Sequence, residues 1–265
     1  MTGEPVSNEL VHLQVANGIA TITLDSPTNR NALSRQLTDE LDEHFDAALA
    51  DQQVRVIVLT GAGPVFCSGA DLKEQRTANE SKQRAGPGGL VPVLTKMWHS
   101  PKPVIGRING AARAGGLGLV AACDIAVAVE TASFAISEVR IGVIPAIISV
   151  VLLPKLGMAK SMELFLTGEP FSAAEAVRIG LLNASAPAAE LDDAVRRYIG
   201  SILQGAPNAI AGAKALVRDV PGLPLEEAFA TMASRSAQYF ASEEAREGMT
   251  AFAEKRPPRW QEGLP

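Results

Sequence analysis

The sequence predicts an α/β protein, a spiral of ββα repeats that continues into a helical C-terminal region. The order of the patterns supports the spiral, because two strand-like runs are followed by a helical pattern and then by a strand over residues 54–60. Helical spacing dominates from about Leu191 onward. We therefore expect residues 1–200 to form the spiral core, and residues 201–265 to form helices that cover this core or a neighbouring subunit.

The first predicted elements are a β-hairpin and a helix. Alternating apolar residues on both sides of Asn17-Gly18 predict two antiparallel strands joined by a type I′ turn. Ser34 is a predicted N-cap, because apolar residues recur at helical spacing after it. These apolar residues are Leu37, Leu41, Phe45 and Ala48.

The middle of the chain shows further strands and one capped helix. Apolar runs over residues 104–108 and 125–129 predict buried strands. Ser172 and Glu175 form a capping-box pattern, which predicts a helix that ends near Gly180.

The segment from Gln75 to Lys96 is predicted to be a mobile loop. The chain turns polar there and has Gly86-Pro87-Gly88-Gly89 in its middle. Such a loop is either a solvated connection or the rim of an active site, because functional residues concentrate in loops.

Composition excludes several classes of function. The net charge of −5 provides no basic surface for nucleic acid or an anionic membrane. Cys67 and Cys123 lie in apolar or small-residue stretches, which predicts buried free thiols in a reducing compartment. The N-terminal residues show no secretory signal, so we expect a cytoplasmic protein. The histidines are isolated in the sequence, and no metal site is predicted.

Two glycine-rich turns follow predicted strands. The run over residues 61–72 follows the strand at 54–60, and Gly115, Gly116 and Gly118 follow the strand at 104–108. The first amides of a helix lack internal hydrogen-bond partners, so such turns offer free donors. Two fixed backbone donors are what an oxyanion hole requires.

Three motifs extend this pattern to a known family. The chain contains NRNALS at residues 29–34, FCSGADL at 66–72 and NGAARAGGLGLVAACDI at 109–125. In this order and spacing they resemble the crotonase or enoyl-CoA hydratase superfamily. The resemblance implies a crotonase-like spiral that binds the thioester carbonyl of an acyl-CoA between the amides of Ala70 and Gly115. It also implies a homotrimer or a homohexamer of two stacked trimers.

The resemblance assigns the proton-transfer chemistry to one carboxylate. Typical hydratases of this family use two glutamates, and this chain matches the later one with Glu138. Gly118 stands at the earlier position and leaves room for water or a bulkier substrate. Apolar neighbours would raise the pKa of a buried Glu138. The alternative is a structural carboxylate paired with a base such as Arg140.

A finer resemblance is to bacterial 3-methylglutaconyl-CoA hydratases. Gly118 and the segment 143–149, which differs from the typical Pro-Gly-x-Gly-Gly pattern, support it. Arg113 could bind the distal carboxylate of such a substrate, or it could be an ordinary surface arginine.

The resemblance also implies where CoA binds. It implies no separate cofactor, because CoA is part of the substrate. The implied contacts are backbone around Arg30, Ala32, Leu33, Asp71 and Leu72, and the side chain of Lys255.

The predicted function is therefore that of an enoyl-CoA hydratase in fatty acid metabolism, which adds water reversibly across the 2,3 double bond of an acyl-CoA thioester. An enoyl-CoA isomerase and a non-catalytic acyl-CoA binder remain alternatives, because one carboxylate and an oxyanion hole also suit these two functions.

Overall fold

A computed structural model describes residues 9–80 and 89–263 of the chain. Its strands are short and most of them are parallel. They are β1 (Val11–Ala16), β2 (Ile19–Leu24), β3 (Val56–Gly61), β4 (Val65–Cys67), β5 (Val104–Ile108), β6 (Ala111–Arg113), β7 (Ile125–Val129), β8 (Ser133–Ala135), β9 (Phe171–Ser172) and β10 (Ala184–Ala186).

Helices pack on the sheets and also form most of the C-terminal part of the chain. They are α1 (Arg35–Ala50), α2 (Leu72–Glu80), α3 (Leu90–His99), α4 (Gly115–Ala122), α5 (Ala146–Thr167), α6 (Ala173–Arg178), α7 (Leu191–Leu203), α8 (Pro207–Asp219), α9 (Leu225–Phe240) and α10 (Glu243–Glu254). No helix in the described ranges combines the length and the apolarity that crossing a membrane demands.

Two sheets create the predicted spiral. The larger sheet has the order β1-β2-β3-β5-β7-β10, and the smaller one has the order β4-β6-β8-β9. Three consecutive strand pairs, β3/β4, β5/β6 and β7/β8, each send their first strand to the larger sheet and their second to the smaller one. Neighbours contributed by successive pairs are parallel. The prediction of repeated ββα units is therefore confirmed.

Local signals at the N-terminal end of the described chain are also confirmed. Strands β1 and β2 pair antiparallel up to Ala16 and Ile19, and the turn residues Asn17 and Gly18 have φ of 53° and 78°. Positive φ at both central residues is the requirement of a type I′ turn. Ser34 caps α1, because its hydroxyl accepts a hydrogen bond from the Leu37 amide at 3.2 Å.

The loop prediction for residues 75–96 is wrong over most of its length. Helix α2 extends to Glu80, and α3 begins at Leu90. The Gly86-Pro87-Gly88 part lies outside the described residues. Helix α3 forms because its apolar residues recur at helical spacing and are buried, a signal that the glycine run obscured. They are Leu90, Val93, Leu94 and Met97.

The C-terminal helices differ in how far they are buried. Five apolar residues of α7 are buried against the larger sheet, whereas no residue of α9 is buried. Large apolar side chains on α9 and α10 are instead exposed, as the amphipathic pattern predicts for helices that cover another surface. They include Leu225, Phe229, Phe240, Met249 and Phe252.

Candidate active site

The site begins where the two segments 29–34 and 66–72 meet. The Leu33 amide donates a hydrogen bond to the Gly69 carbonyl at 2.8 Å, and the Asp71 amide donates to the Leu33 carbonyl at 3.4 Å. This short parallel bridge between Leu33 and Ala70 fixes the turn that carries Ala70.

The second turn, before α4, packs directly against the first. A methyl group at position 69 would lie 2.9 Å from Ala114 Cβ and 2.9 Å from the Arg113 carbonyl oxygen. One at position 115 would lie 4.0 Å from Gly69 Cα. The turns therefore approach to within van der Waals contact of backbone, which glycine alone permits.

Both predicted oxyanion amides are available. Within residues 9–80 and 89–263, neither the Ala70 nor the Gly115 amide donates a hydrogen bond to the protein. Gly115 is the first residue of α4, where an amide has no partner within the helix. Ala114, just before it, is held at φ 46° and ψ −119°, a strained conformation for a residue with a side chain. Strained backbone of this kind concentrates at functional sites.

Two asparagines bond to the segment 61–66, which precedes the turn that carries Ala70. Asn31 is fully buried; its Nδ2 donates to the Ala62 and Val65 carbonyls at 3.0 and 2.9 Å, and its Oδ1 accepts from the Ser26 amide at 2.8 Å. Asn109 donates to the Gly63 carbonyl at 2.8 Å. From the sequence, Asn109 is predicted only as part of a turn with Gly110, and no role is predicted for the Asn31 side chain. An asparagine beside a glycine-rich turn was the available signal, because its side chain can substitute for backbone partners.

Glu138 stands just after β8. This strand pairs with β6 so that Arg113 lies opposite Ala135, and the Ala114 amide donates to the Ala135 carbonyl at 3.1 Å. Glu138 therefore lies three residues beyond the point at which β8 is bonded to the turn that carries Gly115.

One oxygen of the Glu138 carboxylate, Oε2, is buried without a hydrogen-bond partner among the described residues. Burial raises the pKa of Glu138 above its ordinary value, because desolvation disfavours the charged form. Arg140 instead contacts Glu169 and the Thr167 carbonyl, so the structure does not contain the Glu138–Arg140 pair considered as the alternative.

The space at Gly118 is already filled. A methyl group at position 118 would lie 2.6 Å from Ile148 Cγ2 and 3.6 Å from Leu94 Cδ1. Ile148 is buried near the start of α5. The expectation that Gly118 leaves room for water or a bulkier substrate is therefore wrong, because the Ile148 side chain occupies that room.

The Arg113 guanidinium bonds to β6 and β8. Its guanidinium donates to the Ser133 carbonyl and, at 2.7 Å, to the Ser133 hydroxyl at the start of β8. Half-burial lowers the pKa of Arg113 through desolvation.

The residues implied in CoA binding divide into two groups. Arg30, Ala32 and Leu33 lie beside Asp71 and Leu72 through the Leu33–Ala70 bridge. The backbone groups of Leu33 already pair within the protein, whereas Leu72 is 59% exposed.

Lys255 lies elsewhere. It is exposed and caps the C-terminal end of α10. Its role stays a prediction.

Both cysteines are structural. Cys67 and Cys123 are free and buried, and burial raises the pKa of each thiol to about 12. Cys67 packs beneath α4, since a methyl group at Gly116 would lie 3.1 Å from its Sγ. The residues that the structure describes contain no cluster of three or more His, Cys, Asp or Glu side chains placed to hold a metal.

Comparison with known proteins decides the family. The model of the enoyl-CoA hydratase/isomerase family matches residues 14–263. The chain belongs to this family, within the crotonase superfamily. Its members are enoyl-CoA hydratases or related lyases and isomerases that act on acyl-CoA substrates.

Individual relatives match over nearly the whole chain. Carnitinyl-CoA dehydratase of Escherichia coli K12 is 38% identical over 259 residues, which are 96% of this chain and 98% of that protein. The structure of an enoyl-CoA hydratase from Shewanella pealeana matches with a TM-score of 0.90 at 30% identity, over 96% of this chain and 97% of that one. An enoyl-CoA hydratase structure from Mycobacterium smegmatis matches with a TM-score of 0.86 at 34% identity, over 95% and 98%.

These matches confirm the crotonase-like fold. The names of these relatives include a dehydratase and hydratases. Family membership therefore fixes the class of reaction but not the individual substrate.

Proposed function

We propose that this crotonase-family protein is an enoyl-CoA hydratase that adds water reversibly across the 2,3 double bond of an acyl-CoA. The unpartnered, buried Oε2 of Glu138 supports this proposal most directly. A carboxylate oxygen that is buried without a partner is costly to the fold, and perturbed acidic groups of this kind cluster at functional sites.

In the proposed reaction Glu138 acts first as the base. It takes a proton from water while the water oxygen bonds to C3, and the electrons of the double bond move through C2 onto the thioester oxygen. The amides of Ala70 and Gly115 donate hydrogen bonds to this developing oxyanion. In other enzymes, removal of one such donor lowers kcat by about 10²–10³-fold. Glu138 then returns the proton to C2, and the thioester carbonyl is restored.

The direct test follows the conjugated-thioester absorbance of crotonyl-CoA. We expect turnover by the wild type and a loss of about 10²–10⁴ in kcat for Glu138→Gln, because the amide cannot accept the proton. Glu130→Gln is the matched control, since Glu130 is exposed at the end of β7. Equal turnover by wild type and Glu138→Gln would overturn the assignment of the base.

Three alternatives to a general enoyl-CoA hydratase are tested beside it. Gly118 and Ile148 replace the first glutamate and a glycine of the typical pattern, as in the 3-methylglutaconyl-CoA hydratase branch, so this thioester is tested in parallel with crotonyl-CoA. An isomerase would move the proton from C4 to C2 and produce no 3-hydroxy product. Product identification by mass distinguishes the reactions, and binding without turnover would indicate an acyl-CoA binder.

The contact between Arg113 and Ser133 bears on whether Arg113 can bind the distal carboxylate of 3-methylglutaconyl-CoA. Because Ser133 holds its guanidinium, we expect Arg113→Lys to change the kcat/KM for 3-methylglutaconyl-CoA and for crotonyl-CoA by the same factor. A selective loss with the diacid would instead give Arg113 the carboxylate-binding role.

The proposal includes a homo-oligomer, a trimer or a hexamer. The exposed apolar side chains of α9 and α10 support it. Single exposed apolar residues are normal on a protein surface, whereas a helix face with many of them marks an interaction surface. Light scattering after gel filtration is the test. We expect a mass of three or six chains of 27.8 kDa, and a monomer would overturn this part.

Two remaining elements of the proposal concern CoA and the compartment. Lys255→Ala should raise KM for the thioester without changing kcat, if this lysine binds a CoA phosphate. The buried free thiols Cys67 and Cys123 support a reducing compartment, the cytoplasm.

A further inference from the structure

Arg113 is a partly buried cation that pairs with no carboxylate in the part of the chain that the structure describes. Its guanidinium donates to neutral oxygens instead: to the Ala112 carbonyl at 3.0 Å, to the Ser133 carbonyl and, at 2.7 Å, to the Ser133 hydroxyl. Removing a cation from water costs free energy, which these charge-assisted hydrogen bonds offset. The donors of Arg113 are therefore concentrated on the attachment of β6 to the beginning of β8.

The attachment that Arg113 reinforces is short. Strands β6 and β8 pair over two residues, Ala112 with Phe134 and Arg113 with Ala135. Ser133, the first residue of β8, lies just before this ladder. A ladder of this length supplies few backbone hydrogen bonds, so the side-chain bonds from Arg113 to Ser133 extend it and secure its beginning.

The strained residue Ala114 follows directly on this attachment. Its amide donates to the Ala135 carbonyl at 3.1 Å, and its carbonyl accepts from the Leu117 amide at 2.8 Å. Ala114 thus joins β6 to α4, and it does so at φ 46° and ψ −119°. A residue with a side chain keeps such a conformation only where the surrounding structure enforces it. The bond between β6 and β8 holds one of the two ends of this residue.

We propose that Arg113 is a positioning residue for the oxyanion hole. By fastening β6 to β8, its side chain holds Ala114 in the strained conformation that presents the Gly115 amide. The contact with the other turn agrees with this role, because a methyl group at Gly69 would lie 2.9 Å from both the Arg113 carbonyl oxygen and Ala114 Cβ. The inference rests on the proposed function, since it takes the amides of Ala70 and Gly115 to donate to the thioester oxygen.

The first test separates the hydrogen bonds of Arg113 from its packing. Arg113→Met keeps an apolar side chain but donates no hydrogen bond, whereas Arg113→Lys can still donate to Ser133. With crotonyl-CoA we expect the kcat of Arg113→Met to fall by at least about tenfold, since a displacement of 1 Å can cost 10²-fold. KM should change much less, because an oxyanion donor acts mainly in the transition state. Arg113→Lys should keep a kcat at least about threefold above that of Arg113→Met.

Arg178→Met is the matched control for the loss of an arginine. Arg178 is exposed and pairs with Glu175 on α6, so this variant should leave kcat unchanged. Equal losses of kcat in Arg113→Met and Arg113→Lys would overturn the inference, because the bonds to Ser133 would then not be the cause. A change in KM alone would also overturn it.

A double-mutant cycle with Ala114→Gly asks whether Arg113 acts through the strained residue. Glycine adopts positive φ readily, so in the Ala114→Gly background the conformation depends less on the attachment of β6. We therefore expect the factor by which Arg113→Met lowers kcat to be at least about threefold smaller in this background than in the wild type. Equal factors in the two backgrounds would overturn the inference.

Ser133→Ala is a milder variant, which keeps the inference testable if Arg113→Met does not fold. It removes the hydroxyl acceptor and leaves the backbone of β8 unchanged. We expect kcat to fall by at least about twofold with little change in KM, and the loss should not add to that of Arg113→Met where both variants fold. An unchanged kcat, or fully additive losses, would overturn the inference.

A spectroscopic measurement reports the oxyanion hydrogen bonds without turnover. Butyryl-CoA labelled with ¹³C at the thioester carbonyl is saturated and cannot be hydrated. Its carbonyl band is recorded by infrared difference spectroscopy on the wild type, Arg113→Met and Arg178→Met. Hydrogen bonds from the two amides should lower the stretching frequency on the wild type and on Arg178→Met. Arg113→Met should return the band toward that of the free thioester.

The outcomes separate this inference from the proposed function. If crotonyl-CoA is not hydrated but the carbonyl band moves as expected, the hydratase proposal fails and the role of Arg113 stands. If crotonyl-CoA is hydrated and the band is the same on the wild type and Arg113→Met, the role of Arg113 fails alone. A wild type that binds the thioester without lowering the frequency would overturn both the oxyanion hole and this inference.

Discussion

Asp124 Oδ2 lies 2.7 Å from Lys214 Nζ, and this ion pair joins the sheet to a C-terminal helix. Asp124 precedes β7, and the same carboxylate accepts from Arg218 Nη2 at 2.7 Å and from the Val104 amide at 2.8 Å. Arg218 also stacks over the Trp98 ring at 4.3 Å. One aspartate therefore docks α8 onto the spiral core.

Replacing Asp124 should destabilise the protein strongly. Asp124→Asn leaves the buried Lys214 and the largely buried Arg218 without their carboxylate, so we expect a loss of about 3–5 kcal/mol in the free energy of unfolding. Urea denaturation measures it. The control is Asp193→Asn, which breaks an exposed pair with Arg196 and should cost about 1 kcal/mol or less. Similar losses in the two variants would contradict this docking role.

Gly69 should tolerate no side chain. Gly69→Ala would push its methyl group to 2.9 Å from the Arg113 carbonyl oxygen, at a φ of +89° that disfavours alanine. We expect the turns of Ala70 and Gly115 to move apart and kcat to fall by at least about tenfold, since a displacement of 1 Å can cost 10²-fold.

Gly157→Ala provides the control for backbone strain. Gly157 has a φ of +68°, but nothing lies within 4 Å of an added methyl group. This variant should lose about 1–2 kcal/mol of stability and keep its kcat. If both variants kept full activity, contact between the two turns would not matter for catalysis.

Asn31 should be required for stability. Asn31→Ala leaves the Ala62, Val65 and Phe66 carbonyls without their donor inside the protein. Unsatisfied buried groups cost about 1–3 kcal/mol each, so we expect a loss of about 3 kcal/mol or more in thermal or urea unfolding. Asn208→Ala removes an exposed side-chain hydrogen bond to Glu244 and should cost about 1 kcal/mol at most. A loss at Asn31 no larger than that would refute the role of its side chain.

Glu138→Gln should stabilise the protein at neutral pH. The folded protein raises the pKa of Glu138 above the reference value of 4.5, so the folded state holds this proton more tightly than the unfolded state does. Stability therefore falls as pH rises from about 4.5 through the raised pKa, and it is recovered as pH falls. The glutamine variant, which carries no such charge, should melt at a higher temperature at pH 7 but not at pH 4.

Melting curves across this pH range check the prediction, with Glu130→Gln as the exposed control. A stabilisation of Glu138→Gln that persisted unchanged at pH 4 would show that charge burial is not its cause. The same raised pKa should place the acid limb of kcat/KM above the ordinary range of a glutamate, because only the ionised carboxylate accepts the proton from water.

Signals that act over a few residues were sufficient for much of the fold. The Asn17-Gly18 turn and the Ser34 cap act between neighbours in the chain, and both were predictable from the sequence. The glycine turns that carry Ala70 and Gly115 were predictable too, because a close approach of two backbone segments requires glycine, which is visible in the sequence. Helix α3 was missed, since a glycine-rich segment beside it masked its periodicity.

Relationships across the chain required the tertiary structure. The sequence determined the spiral of ββα units, the two glycine turns and a candidate carboxylate, Glu138. Only the folded chain showed that Ile148 fills the space at Gly118 and that Ser133 engages Arg113. The physical reason is that periodicity and turn chemistry report local burial, whereas steric contact between residues 20 or 30 positions apart depends on the path of the chain between them.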